Sequence, residues 1–184
     1  MNSNEFDLVR KAQRGDADAF SAIFDQQYTP VYRYCFYRLG DVKLAQDLTS
    51  EVFVRMVEKL DTYEPSGRPL LAWLYTIARN LVADDYRRNG KVTHLPLDEA
   101  LTSGMHANPV QQTEQSLLAD CLRLVIEKLT EDQQQVILLK YVENQSNAQV
   151  ARILGKTRGA VKSLQHRALA SLRRALEEEP CYEA

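Results

Sequence analysis

The stretch "SNAQVARILGKTRGAVKSLQHRALASLRR", residues 146 to 174, decides the fold. Ser146 followed by Gln149 has the spacing of a capping box, in which free N–H groups at a helix start are satisfied reciprocally. A helix is therefore predicted to begin near Asn147. It is expected to end at Leu154, because Gly155 suits the left-handed conformation beyond a helix end, and Thr157 is placed to cap the next helix. A short helix, a turn containing glycine and a second helix form a helix-turn-helix, whose second helix is shaped for a DNA major groove.

Val150, Ala151 and Leu154 are expected to face Val161, Ala168 and Leu172 in a small core. Arg158, Lys162, Ser163, His166 and Arg167 then lie on the other face, offering donors to phosphates and guanine edges beside the positive end of the helix dipole. A merely solvated basic face is the competing reading. Arg152 to Leu176 holds seven basic residues and no acid, and that run on a capped helix, turn and helix favours DNA binding.

The rest of the chain is read outward from there. Residues 1 to 91 carry 13 basic and 13 acidic side chains, 92 to 116 none and three, 117 to 176 ten and five, and the last eight none and four. The formal charge of −2 thus conceals a local basic region, which matters because exposed charges are screened beyond about 10 Å. With 45% apolar and 26% charged residues among 184, the composition excludes disordered and fibrous chains. No signal-peptide pattern opens the chain and no run approaches the roughly 18 apolar residues of a membrane span. A cytoplasmic protein without membrane insertion is expected.

Upstream, apolar residues recur at helical spacing. Phe20, Ile23, Phe24, Tyr28 and Val31 form one stripe, and Leu44, Leu48, Val52, Met56 and Leu60 another. Asp41 is placed to cap the helix after Gly40. Residues 90 to 115, "GKVTHLPLDEALTSGMHANPVQQTEQ", contain two prolines, two glycines and no sustained stripe, and read as a linker. Beyond it, Leu117, Cys121, Leu124, Val125 and Leu129 give a helix, and Thr130 with Gln133 a second capping box before a helix near Glu131.

The fold class is therefore all-α: two small helical domains joined by a flexible linker, the C-terminal one a helix-turn-helix four-helix unit. The expected division is 1–90, a linker at 91–115, a DNA-binding unit at 116–178 and a solvated acidic tail at 179–184. Cys35, Cys121 and Cys181 have no metal or disulfide spacing and read as reduced thiols. Asp84 and Asp85 point about 100° apart on a helix, too divergent to share a substrate proton. No phosphate loop, dinucleotide turn or nucleophile elbow is present. No catalytic residue, metal or cofactor is expected, and the chain is read as not an enzyme.

Across nearly its whole length the sequence resembles the extracytoplasmic-function class of bacterial RNA polymerase sigma factors, in the sigma-70 superfamily. The resemblance is carried in order by "DLTSEVFVRMVEKL" (47–60), "LLAWLYTIARNLVADDYRR" (70–88), "LTEDQQQVILLKYVENQSNAQVARILG" (129–155) and "GAVKSLQHRALASLRRAL" (159–176). It implies an alternative sigma factor that binds core RNA polymerase and directs initiation from minus-10 and minus-35 promoter elements. The polymerase-binding stripe it implies is Asp47, Glu51, Arg55 and Glu58, a pattern that an ordinary exposed helix face fits equally well.

By the same resemblance, Arg79, Asn80, Arg87, Arg88 and Lys91 hold the melted minus-10 strand, with Tyr63, Ser66 and Arg68 in the loop that forms a base pocket. Trp73 and Tyr75 are expected in the core. Lys162, Ser163, His166 and Arg167 stand where the family reads the minus-35 duplex, and Arg158 joins them from the basic helix face. Where the family commonly has "VKSRLHRAR" this chain has "VKSLQHRAL". Leu164 keeps the apolar stripe, and a slightly rotated helix would turn Gln165 outward to read an adenine edge. An anti-sigma factor is an implied partner. The competing function is a stand-alone helix-turn-helix regulator with a sensing or dimerisation domain; a helical protein-binding adaptor is a third reading.

Overall fold

The structure, a computed structural model, describes residues 3–65, 67–89 and 124–178. Among them the regular elements are helical and no strand occurs. In order they are α1 (Ser3–Ala12), α2 (Ala17–Leu39), α3 (Val42–Lys59), a 3₁₀ turn (Leu60–Thr62), α4 (Leu70–Asn89), α5 (Glu131–Ile137), a π turn (Leu138–Val142), α6 (Asn147–Leu154) and α7 (Arg158–Glu178). Ser66, Lys91, the expected linker and the expected tail lie outside the described residues.

Local chemistry sets the helix ends. Asp16 accepts from the Ala19 N–H at 3.1 Å and Asp41 from the Leu44 N–H at 2.7 Å, each satisfying a donor that a helix start leaves free. Between them Gly40, at φ 70°, ends α2 in the left-handed conformation, so α2 and α3 form a tight antiparallel hairpin. Both capping boxes are formed, Thr130 with Gln133 and Ser146 with Gln149.

α2, α3 and α4 pack on one another and α1 lies against α2. Their interior is filled by fully buried residues such as Ile23, Val31, Phe36, Val52, Met56, Leu60, Leu74 and Val82. Tyr34 and Tyr75 meet with ring centroids 5.0 Å apart. Tyr75 is in the core as expected, whereas Trp73 is half-buried. Phe24 departs from its predicted stripe: it is 41% exposed, and leans on Phe53 and Tyr28 at 4.7 and 5.1 Å.

In the C-terminal half α5 and α6 both pack on α7. Val150, Ala151, Val161 and Ala168 are buried as predicted, but Ile153, not Leu154, completes the α6 face; Leu154 is half-buried at the helix end. The difference is one residue, about 100° of helix. Buried Gln134 ties the core to the segment before α5, donating to the carbonyls of Ile126 at 2.9 Å and Leu129 at 3.2 Å.

The two halves meet. One continuous apolar cluster runs from Val9 through Val82 to Val136, Ile153 and Ala168. Polar ties border it: Arg33 to Glu143 at 3.1 Å, Arg38 and Arg79 to Glu131 at 3.7 and 3.8 Å, and the Arg68 guanidinium donating to the Ile153 carbonyl at 2.6 Å.

Candidate nucleic-acid interface

The helix-turn-helix is α6, a turn through Gly155 and α7. Gly155 takes φ 64° and its N–H donates to the Ala151 carbonyl. Thr157 Oγ1 accepts from the Ala160 N–H at 3.1 Å, capping α7 as the sequence predicts. Burying Val161, Leu164 and Ala168 leaves Arg158, Lys162, Ser163, His166 and Arg167 exposed along the free side of α7. The first acid on that helix is Glu177, paired with Arg173 at 3.0 Å. The N-terminal half of α7 therefore offers cations, a hydroxyl and an imidazole to an anionic, groove-bearing partner with no carboxylate of its own helix competing.

Leu164 is buried on the apolar stripe, and Gln165 beside it is partly exposed. Its amide donates to the Tyr141 hydroxyl at 2.9 Å. Tyr141, half exposed, belongs to the π turn that ends α5. That local widening of the helix is a common functional irregularity, and no periodicity in the sequence announces it.

A second group gathers where the 3₁₀ turn leads into α4. The Tyr63 ring stacks on Trp73 with centroids 4.5 Å apart and planes at 26°. Burial raises the Tyr63 hydroxyl pKa, Glu5 raises it further and Arg68 opposes, so the phenol stays a neutral donor. Asn80 and Arg88 are exposed on α4 and Arg79 about half so. Arg87 is held by Asp84 one turn back, while Asp85 is nearly buried; the two aspartates are thus in different environments. The cations Arg68 and Arg79 are engaged by the C-terminal half, through Ile153 and Glu131. Aromatic rings, cations and an amide are the groups from which sites for unpaired strands are built; here the stack stands at the start of α4, and Asn80 and Arg88 follow along the helix.

On α3, Asp47 and Glu58 are exposed, and half-buried Glu51 and Arg55 pair at 2.8 Å. Val54 and Val57, 51% and 55% exposed, lie beside this stripe, and with exposed Phe24 they add apolar area that the polar pattern had concealed. The signal was available: valines off the buried Val52 and Met56 stripe have no core to enter.

Two segments match known families: residues 23–92 match sigma-70 region 2, and residues 119–172 match sigma-70 region 4. The chain is an extracytoplasmic-function sigma factor. It is 38% identical over 174 residues to the sigma factor BldN of Streptomyces coelicolor, covering 94% of this chain and 66% of that protein. It is 30% identical to SigW of Bacillus subtilis, covering 92% and 95%. Among solved structures, CnrH in complex with the cytosolic domain of CnrY shares the fold at 23% identity and TM-score 0.66, covering 95% of this chain and 98% of that one. RpoE of Bartonella quintana, in complex with the anti-sigma factor NepR, does so at 21% and TM-score 0.60, covering 87% and 98%.

As a sigma factor the chain is an alternative specificity factor directing transcription initiation, and the stand-alone regulator is not favoured. The region 2 match takes in most of α2 and all of α3 and α4, with both the stacked aromatics and the α3 stripe; the region 4 match takes in α6 and most of α7. α1 lies ahead of both matches. Among the described residues no group of side chains is arranged to hold a metal and no helix is long and apolar enough to cross a membrane.

Proposed function

We propose that this sigma factor acts as a two-point promoter grip in the cytoplasm, mounted on core RNA polymerase and contributing specificity without catalysis of its own. α7 enters the minus-35 major groove with Arg158, Lys162, Ser163, His166 and Arg167, and Gln165 borders the contact through Tyr141. The Tyr63 loop and the outer face of α4, with Arg68, Arg79, Asn80, Arg87 and Arg88, capture the melted minus-10 strand. Asp47, Glu51, Arg55 and Glu58, with Val54 and Val57, dock on the polymerase. Residues 1–90 and 116–178 are the two functional domains of this reading.

The observation that carries it is the exposed, acid-free N-terminal half of α7 on a capped helix-turn-helix. Release of counterions by such a face supplies affinity, and groove contacts supply choice. Because Arg68 and Arg79 touch the C-terminal half, engagement of the minus-10 strand requires the halves to part. An anti-sigma protein that binds the closed form would hold the factor inactive by that same seam, by population shift.

Transcription in vitro with core polymerase tests the proposal. The expected result is initiation from discrete sites on genomic DNA that core enzyme alone does not use. Sequence-specific duplex binding by the chain without polymerase would favour the stand-alone regulator instead.

A further inference from the structure

In the segment between α3 and α4, the Tyr63 N–H donates to the Leu60 carbonyl at 3.0 Å and the Ala72 N–H to the Pro69 carbonyl at 3.0 Å. It is also braced from α1 and the residue after it, ahead of both family matches. Gln13, one residue past the end of α1, donates through Nε2 to the carbonyl of Leu60 and to that of Tyr63, each at 2.8 Å. At the loop's far end Glu5 of α1 accepts from the Leu70 N–H at 2.7 Å. A primary amide has two hydrogens, and both are used here on one short segment of backbone.

We infer that Gln13 is a positioning residue for base capture: it fixes the Tyr63 backbone so that the ring stays on Trp73 and the loop meets an unstacked base already ordered. This rests on the minus-10 reading above. A flipped base yields affinity only beyond the cost of ordering the segments that receive it, so a pre-ordered loop binds more tightly and discriminates better than a loose one. Gln13 itself touches neither strand nor polymerase; its effect passes through the carbonyls of Leu60 and Tyr63.

The test uses holoenzyme assembled from core polymerase and full-length factor. The probe is a fluorescent single strand carrying the minus-10 non-template sequence of a promoter that the wild-type holoenzyme transcribes in vitro, with variants in which each base is changed in turn. Gln13→Glu has the same shape but sets a carboxylate against two carbonyl oxygens. It is expected to bind the strand about tenfold more weakly, from the loss of two hydrogen bonds, and to discriminate less among the base-changed strands. Gln13→Lys, which keeps donors, is expected to recover most of both. Gln13→Met, of similar length and without a donor, carries the same expectation as Gln13→Glu should that variant fail to fold.

Binding of a minus-35 duplex by the same holoenzymes is expected to be equal for all. If wild type binds the strand and Gln13→Glu and Gln13→Met bind it with unchanged base preference, the inference is overturned and the minus-10 reading stands. If the wild-type holoenzyme transcribes but does not retain the single strand, the minus-10 reading falls and the inference with it.

Discussion

Arg68 and Ile153, 85 positions apart, meet in a hydrogen bond of 2.6 Å. The carbonyl belongs to the last turn of α6, where helix oxygens lack intrahelical partners and the dipole is negative. A guanidinium from the segment between α3 and α4 thus completes the end of the first helix of the helix-turn-helix. While that bond is made, one nitrogen of the guanidinium is committed to the C-terminal half.

The seam is therefore expected to be sensitive to charge. Glu131→Gln together with Glu143→Gln removes the acid partners of Arg33, Arg38 and Arg79. Partly exposed pairs contribute at most about 1 kcal/mol each, so the double variant should populate an open form several-fold more. Energy transfer between dyes on α3 and α7 should fall, and raising the salt concentration should lower it in wild type as well. Transfer that is the same in both proteins at every salt concentration would count against a charge-held seam.

If α7 reads DNA as proposed, Lys162→Ala and Arg167→Ala should weaken minus-35 duplex binding to a similar degree across sequences. Each should also reduce the slope of log affinity against log salt by about 1, as for loss of one phosphate contact. Titrations of holoenzyme at several salt concentrations measure this. A change confined to one base position would instead mark that side chain as a base reader.

The capping box before α6 predicts a stability effect separable from DNA contact. Ser146→Ala loses the hydroxyl that accepts from the Gln149 N–H at 3.3 Å, and caps of this kind contribute about 1 kcal/mol. Thermal unfolding followed by circular dichroism should show a melting temperature lower by a few degrees. Ser146→Asp, which retains an acceptor, should lie close to wild type.

Alkaline pH should loosen the region 2 core. Burial pushes the Cys35 thiol from its ordinary 9.0 to about 11, and the Tyr34 phenol from 10.0 to about 12. Both are acids whose neutral forms are favoured by folding, so their contribution is complete below the unfolded values of 9.0 and 10.0. It is lost as pH rises through about 11 and 12, because the unfolded chain releases protons first. Denaturant midpoints should fall steadily above pH 9.0, less steeply in Cys35→Ala. Thiol-specific reagents should reach Cys35 at neutral pH only at the rate of opening.

Much of this fold was legible because its signals are local. Asp41, both capping boxes and Gly155 act within four residues of themselves, so their spacing suffices to place helix ends. Contacts without a period were not legible. Arg33 and Glu143 are separated by 110 positions, and nothing in either neighbourhood marks them as partners. Phe24 shared the helical period of buried Ile23 and Val31 yet emerged at the rim, since the period gives a face and tertiary packing decides where that face ends. The bond between Gln165 and Tyr141 is not legible either, since the π turn that brings Tyr141 to that amide is a backbone irregularity with no sequence rhythm.

Gly155 has two duties. At φ 64° it makes the bend that aims α7, and a Cβ placed on it would stand 3.3 Å from the Arg68 Cζ. A larger residue there would strain the bend and crowd the arginine in a single step. The angle at which this protein presents α7 and the ease with which its halves come apart are thus inherited together, and a lineage drifting at this position cannot adjust one while leaving the other alone.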